Sequence, residues 1–212
     1  MQFEEFQKMA RLTREVIITE KIDGTNAQIG IRARAPHEDL PETAVAITDD
    51  LVIYAGSRTR WIQPGHDNFG FAAWVRDHAE ELAQLGPGRH FGEWWGVGIQ
   101  RGYGLSEKRF SLFNTIRWCA HDAEPQTFPT ADPRVVKAQE RAPACCSLVP
   151  VLYRGLFQTA MVDHMLDRLR AEGSLAAPGF MKPEGVVVFH TACGTAFKKT
   201  LEKDDQPKSK VA

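Results

Sequence analysis

The sequence predicts an α+β fold in one domain, with antiparallel sheets and flanking helices. Three observations carry this expectation. Many short runs are rich in β-branched residues, only two or three helical stretches are interspersed among them, and strand and helix do not alternate as a parallel βαβ sheet requires. The 212 residues are enough to bury a sizeable core, and 43% hydrophobic with 25% charged residues is ordinary globular composition. No internal repeat, low-complexity block or composition break marks a second domain.

Each element follows from its pattern. Residues 2–12 place Phe3, Phe6 and Met9 or Ala10 at helical spacing, which predicts a short amphipathic helix. The run 15–22 is rich in β-branched residues. The run 27–35 alternates, with Ala27, Ile29, Ile31 and Ala33 on one face. Asp23-Gly24 between them reads as a tight turn, so a hairpin with Lys21 near its bend is expected. A polar loop spans 36–43, and a further β region spans 45–55, interrupted at Asp49-Asp50. A helix over 68–85 has Phe71, Trp74, His78, Leu82 and Leu85 as its stripe and is stopped by Gly86-Pro87-Gly88. Strands are expected at 89–95 and 110–119, a proline-rich loop at 121–133, a second helix at 155–170, and final strands at 185–191 and 195–201. Residues 202–212 form a polar tail.

Charge and cysteines narrow the function classes. The 26 Lys plus Arg against 27 Asp plus Glu give a net charge of −1. Bulk charge is therefore no argument for a polynucleotide partner, which would have to meet a local basic patch. No apolar run is long enough to span a membrane, and the N-terminus is acidic where a signal peptide is basic. Cys119, Cys145, Cys146 and Cys193 show no CxxC spacing. They read as reduced structural thiols of a cytoplasmic protein.

Four clusters carry the chemistry. The first is Glu20-Lys21-Ile22-Asp23-Gly24-Thr25-Asn26, which alone could be a hairpin with a solvated lysine. The second, residues 91–102, reads FGEWWGVGIQRG. Its glycines superficially suggest a phosphate loop, but no helix-forming run follows and Gly102-Tyr103-Gly104 breaks the pattern. What remains is Glu93 near a strand end, beside two tryptophans and a flexible loop. The third is Glu184 before the strand-like Gly185-Val186-Val187-Val188. The fourth is Phe197-Lys198-Lys199-Thr200, where adjacent lysines on a strand point to opposite faces.

Together and in this order the clusters resemble the RNA ligase 2-like family of the covalent nucleotidyltransferase superfamily, which includes ATP-dependent RNA and DNA ligases and capping enzymes. The matching segments are EKIDGTN at 20–26, Ser57-Arg58, FGEWWGVGIQ at 91–100, FSLFN at 110–114, EGVVV at 184–188 and AFKKT at 196–200. The resemblance implies a nucleotidyltransferase (ATP-grasp-like) fold over residues 1–201, with ATP and Mg2+ (or Mn2+) as cofactors. It also implies a chemistry in which a lysine takes AMP from ATP, passes it to a nucleic-acid 5′-phosphate, and lets a 3′-hydroxyl displace it.

The resemblance further assigns roles. Lys21 would be the nucleophile. A lysine amine is ordinarily an ammonium at neutral pH, so burial and nearby cations would favour the reactive form. Glu20 would bind adenine through its backbone, and Phe113 and Val187 would sandwich the base. Glu93 would hold the ribose, and Arg58 the ribose or phosphates. Lys198 would neutralise charge at the α-phosphate. Glu184 would bind or orient the metal, and Asp23 would support Lys21 and the metal. Asn26 would serve the sealing steps, and Lys199 is a second lysine near the nucleotide.

Two departures stand out. The family's second lysine falls at Thr200, leaving Lys199 one position off unless a bulge re-aims it. The chain also ends soon after this segment. A C-terminal accessory domain is therefore expected to be absent, with a protein partner in its place, and self-adenylylation is safer to expect than end sealing. The implied partners are RNA ends or a nicked RNA-containing duplex. A non-catalytic RNA-end or nucleotide-binding module, an ATP-dependent DNA ligase and a guanylyltransferase remain as alternatives.

Overall fold

The computed structural model describes residues 2–6, 8–118 and 142–202. The strands form two sheets. The smaller contains β1 (Glu15–Lys21), β9 (Val151–Leu156), β10 (Gly185–His190) and β11 (Thr195–Thr200), in the order β11-β10-β1-β9. The larger is built from β2 (Thr25–Ala33), β3 (Ala46–Ile47), β4 (Leu51–Gly56), β6 (Gly88–Gly96), β7 (Lys108–Leu112) and β8 (Cys146–Leu148). Its order is β3-β4-β2-β6-β7-β8, with β5 (Trp61–Ile62) pairing β4. All described pairings are antiparallel except β7 with β8. The α+β expectation holds.

Each sheet covers one face with helix. In the smaller sheet Val16, Ile18, Val186 and Val188 pack against Met161, Met165 and Leu169 of α4 (Thr159–Glu172). In the larger, Ala27, Ile29 and Ile31 of β2 pack with Phe71, Val75 and Leu82 of α1 (Phe71–Asp77) and α2 (Ala79–Leu82). A third cluster, Ile22, Trp95, Tyr103, Val149 and Ala177, packs where the sheets come together. The chain passes between them at 21–25 and again at 149–151, where Val149 N donates to Leu112 O and Glu20 N to Pro150 O.

Several expectations are corrected. The 15–22 and 27–35 runs are strands, but they do not form a hairpin: β1 pairs β9 and β10, whereas β2 pairs β4 and β6. Asp23-Gly24 is a crossing between sheets, and its glycine is required by space. A Cβ at Gly24 would lie 2.5 Å from the Trp94 carbonyl oxygen and 2.7 Å from Trp95 Cβ. Residues 2–6 and 8–12 are not helical, and Phe3, Phe6 and Met9 are all more than 80% exposed, so the apolar stripe has no face to bury against. The 68–85 helix is broken at His78, whose ring Nδ1 meets Trp74 O at 2.9 Å; a 3₁₀ turn closes it at Ala83–Leu85.

Strand β7 stops at Leu112, and α3 (Thr115–Trp118) follows in place of a continuing strand. Residues 155–156 finish β9, so α4 starts later than periodicity suggests. Short strands β5 and β8 carry too few residues to show a period. The 121–133 loop, most of the tail and Cys119 lie outside the described residues; Cys145, Cys146 and Cys193 are free thiols. Among the described residues no helix is long and apolar enough to cross a membrane.

Candidate functional site

Lys21 ends β1 where the chain leaves the smaller sheet, and Asn26 is the second residue of β2 in the larger one. The residues between them are thus held at both ends by sheet pairing. They form a wall of a cleft of about 360 Å³, lined also by Arg58 from the β4–β5 turn and Glu93 from β6.

Two cleft residues are held by ion pairs from outside its lining. Lys21 Nζ lies 2.5 Å from Glu184 Oε2, on a carboxylate only 4% exposed just before β10. Asp23 Oδ2 receives Arg101 Nε at 2.9 Å, and the Asp23 backbone N–H donates to Tyr103 Oη at 2.8 Å. Arg101 also donates to Lys182 O at 2.9 Å. The sequence reading gave Arg101 and Tyr103 no role, because it read their loop for its glycines. The available signal was a polar and an aromatic residue set between those glycines. The loop backbone is strained to aim them, since Gln100 and Tyr103 have left-handed φ values of 45° and 53°.

Glu93 pairs across the ladder with Asn26, and its Oε1 accepts the Gly24 N–H at 3.1 Å. Burial pushes its carboxyl up to about 7; Lys21 and the Gly24 N–H pull it down, and Glu184 and Asp23 push it further up. The folded state therefore retains a proton that the unfolded chain releases near 4.5, so stability falls as pH rises from about 4.5 to about 7 and the cost is complete above that range. Glu93→Gln keeps an acceptor for Gly24 and removes the charge. It is expected to stabilise the fold at pH 8 by about 2–3 kcal/mol, with the gain vanishing below the ordinary carboxylate range. Thermal melts at acid and alkaline pH check this; the same gain at both ends would show that charge burial is not its cause.

Register sorts the remaining candidates. Lys198 pairs Val187, which pairs Thr19; Lys199 pairs Val186, which pairs Glu20. Directly paired residues share a face, so Lys198 and Val187 lie on the face of Thr19 and Lys21. Lys199 lies on the α4 face, where its Nζ donates to Asp163 Oδ1 at 2.6 Å. This separates Lys199 from the nucleotide contacts among which the sequence placed it, because no bulge interrupts β11. Glu20 also turns its carboxylate to the α4 side. Ser174 Oγ donates to it at 2.5 Å, and the backbone N–H groups of Leu175 and Ala176 donate at 2.8 and 2.9 Å. Burial raises the Glu20 carboxyl while these donors lower it. Its own N–H is committed to Pro150 O. Phe113 follows β7, is 39% exposed, and is held by its N–H to Phe91 O at 3.0 Å. Phe113, Val187, Lys198 and Glu184 stand outside the nine residues that line the cleft itself.

The chain matches the family model described as RNA ligase over residues 14–200. A search of curated proteins finds no match. Among solved structures it resembles a glutamate-to-alanine variant of Naegleria gruberi RNA ligase with ATP and Mn. The TM-score is 0.51 at 18% identity, covering 89% of this chain and 50% of that one. A lysine-to-alanine variant of the same ligase with ATP and Mn gives 0.50 at 17% identity, covering 89% and 50%. At such identity the likeness concerns the fold, and the chain spans about half the length of those structures.

Proposed function

The chain belongs to the RNA ligase family, and from that premise we propose that it is the adenylyltransferase part of an ATP-dependent RNA ligase, with Lys21 as the residue that carries AMP. The observation that carries the reading is the cleft itself. It brings Lys21 and Asn26 together with Arg58 and Glu93, which are distant from them in sequence, with Glu184 on the lysine.

In this reading Lys21 Nζ attacks the α-phosphorus of ATP, forming a P–N bond as the bond to pyrophosphate breaks. AMP then passes to the 5′-phosphate of an RNA end, and a 3′-hydroxyl displaces it. Lys198, on the same sheet face, would meet charge developing on the α-phosphate. Glu93 and Arg58 would hold the ribose and phosphate region, with Phe113 and Val187 against the base and the Glu20 backbone at its edge. Asn26 would act in the later steps. Arg101 fixes the Asp23 carboxylate, so Asp23 would support the motif through a set geometry.

The donor set fits a hard divalent cation carried mainly by the nucleotide. Among the described residues no group of three or more His, Cys, Asp or Glu could hold a metal alone. Magnesium and manganese are suited to one or two carboxylates with phosphate and water oxygens. Glu184 would be the protein ligand, and the cation would supply countercharge to the triphosphate.

The test is intact-protein mass spectrometry after incubation with ATP and Mg2+ or Mn2+. A gain of one AMP, lost again on addition of pyrophosphate, is the expected result. No gain under either metal would leave a non-catalytic binding module as the better account. A gain from GTP in place of ATP would make it a guanylyltransferase. Joining assays on nicked RNA and DNA duplexes separate the RNA ligase from a DNA ligase.

A further inference from the structure

The face of the larger sheet that carries Glu93 and Asn26 continues beyond the cleft. Along β2 this face presents Asn26, Gln28, Gly30 and Arg32, paired across to Glu93, Phe91 and Arg89 of β6 and to Gly56 and Tyr54 of β4. At about 3.3 Å per residue, Asn26 and Arg32 are roughly 20 Å apart. The indole of Trp61 lies across the middle of this run. A Cβ on Gly30 would be 2.6 Å from the ring and one on Gly56 3.0 Å from it, so two glycines leave the space that lets the ring lie against the sheet. Tyr54 flanks it with ring centroids 5.3 Å apart, and the Arg89 guanidinium is 5.9 Å from the Trp61 ring centroid. Phe91, two residues from Arg89, is 45% exposed.

Arg32, at the far end of this run, is paired with Glu38, whereas other cations beside the run are uncompensated among the described residues. Arg76, Arg101, Arg109, Arg154, Arg168 and Arg170 all sit in ion pairs. Arg58, Arg60 and Arg89 make none among the described residues. Arg58 is on the cleft wall, Arg60 immediately precedes Trp61 at the start of β5, and Arg89 lies over the indole. In a chain of net charge −1, this is the local basic patch that overall composition does not supply.

We propose that this face is a track for a single strand of RNA leaving the cleft, with phosphates on Arg60 and Arg89 and a base stacked on Trp61 beside Arg89. The direction of the track rests on the ligase reading of the cleft. An aromatic on a sheet face, flanked by guanidiniums, matches alternating bases and phosphates, and the run is long enough for about three extended nucleotides. An acidic peptide would satisfy the arginines but would offer Trp61 no planar partner.

The experiment is fluorescence anisotropy of a labelled single-stranded RNA of about 12 nucleotides, titrated with the full chain at several salt concentrations. The variants are Arg60→Ala/Arg89→Ala and, separately, Trp61→Ala. Each lost phosphate contact on a single strand lowers the slope of log K against log salt by about 0.7, so the double variant should lose about 1.4. Trp61→Ala should weaken binding roughly tenfold or more at fixed salt. Both should still take AMP from ATP, because neither changes a residue assigned to the nucleotide. If Trp61→Ala does not fold, the arginine variant decides. Wild-type affinity and salt slope in that variant, or no RNA binding by the wild type at low salt, would overturn the track. Loss of AMP labelling in the wild type with arginine-dependent RNA binding intact would overturn the catalytic reading alone.

Discussion

Protein carrying Lys21→Ala is expected to gain no AMP mass from ATP under conditions where the wild type is labelled to completion. Among the described residues that line the cleft, Lys21 carries the one amine. Alanine, however, also removes a cationic partner of Glu184, a carboxylate only 4% exposed. Removing one member of a buried pair can cost about 3–5 kcal/mol, so loss of labelling by this variant could reflect loss of fold. Lys21→Arg resolves this. Arginine keeps a cation for Glu184 yet stays protonated and non-nucleophilic. It should melt close to the wild type and remain unlabelled. Labelling of a folded Lys21→Arg protein would place the nucleophile elsewhere.

The second large effect separates two adjacent lysines. Lys198→Ala is expected to slow AMP transfer to the protein by about 10²–10³-fold, the usual consequence of removing one preorganised donor to developing charge. Lys199→Ala should change that rate little. Its Nζ is spent on Asp163 of α4, an exposed pair whose loss costs about 0–1 kcal/mol. Single-turnover labelling with radiolabelled ATP measures both. A larger loss at Lys199 would mean that β11 shifts its register when nucleotide binds.

The candidate residues were legible because the proposed chemistry demands particular residue types in short runs. Lys21, Asp23, Glu93, Glu184 and Lys198 each stood out in a local cluster, and their order along the chain carried the family resemblance. Strand existence was also legible wherever a period could develop, as in β2 with Ala27, Ile29 and Ile31 buried on one face. The opposite faces of Lys198 and Lys199 follow from the two-residue period of any regular strand.

What local pattern could not supply was the partner of each strand. Asp23-Gly24 has the composition of a hairpin turn, yet β1 and β2 enter different sheets, because only there do their apolar faces meet α4 on one side and α1 on the other. The same long-range packing brings Arg101 onto Asp23 from 78 positions away and lays Trp61 over Gly30 and Gly56. It also leaves the stripe of Phe3, Phe6 and Met9 without a surface to cover. The sequence by itself determined which side chains could do the chemistry and on which face of a strand each would stand, since those properties are local. Which faces close into a cleft, and which cations remain unpaired beside it, only the tertiary structure decided, because both depend on contacts between segments whose separation along the chain carries no local signal.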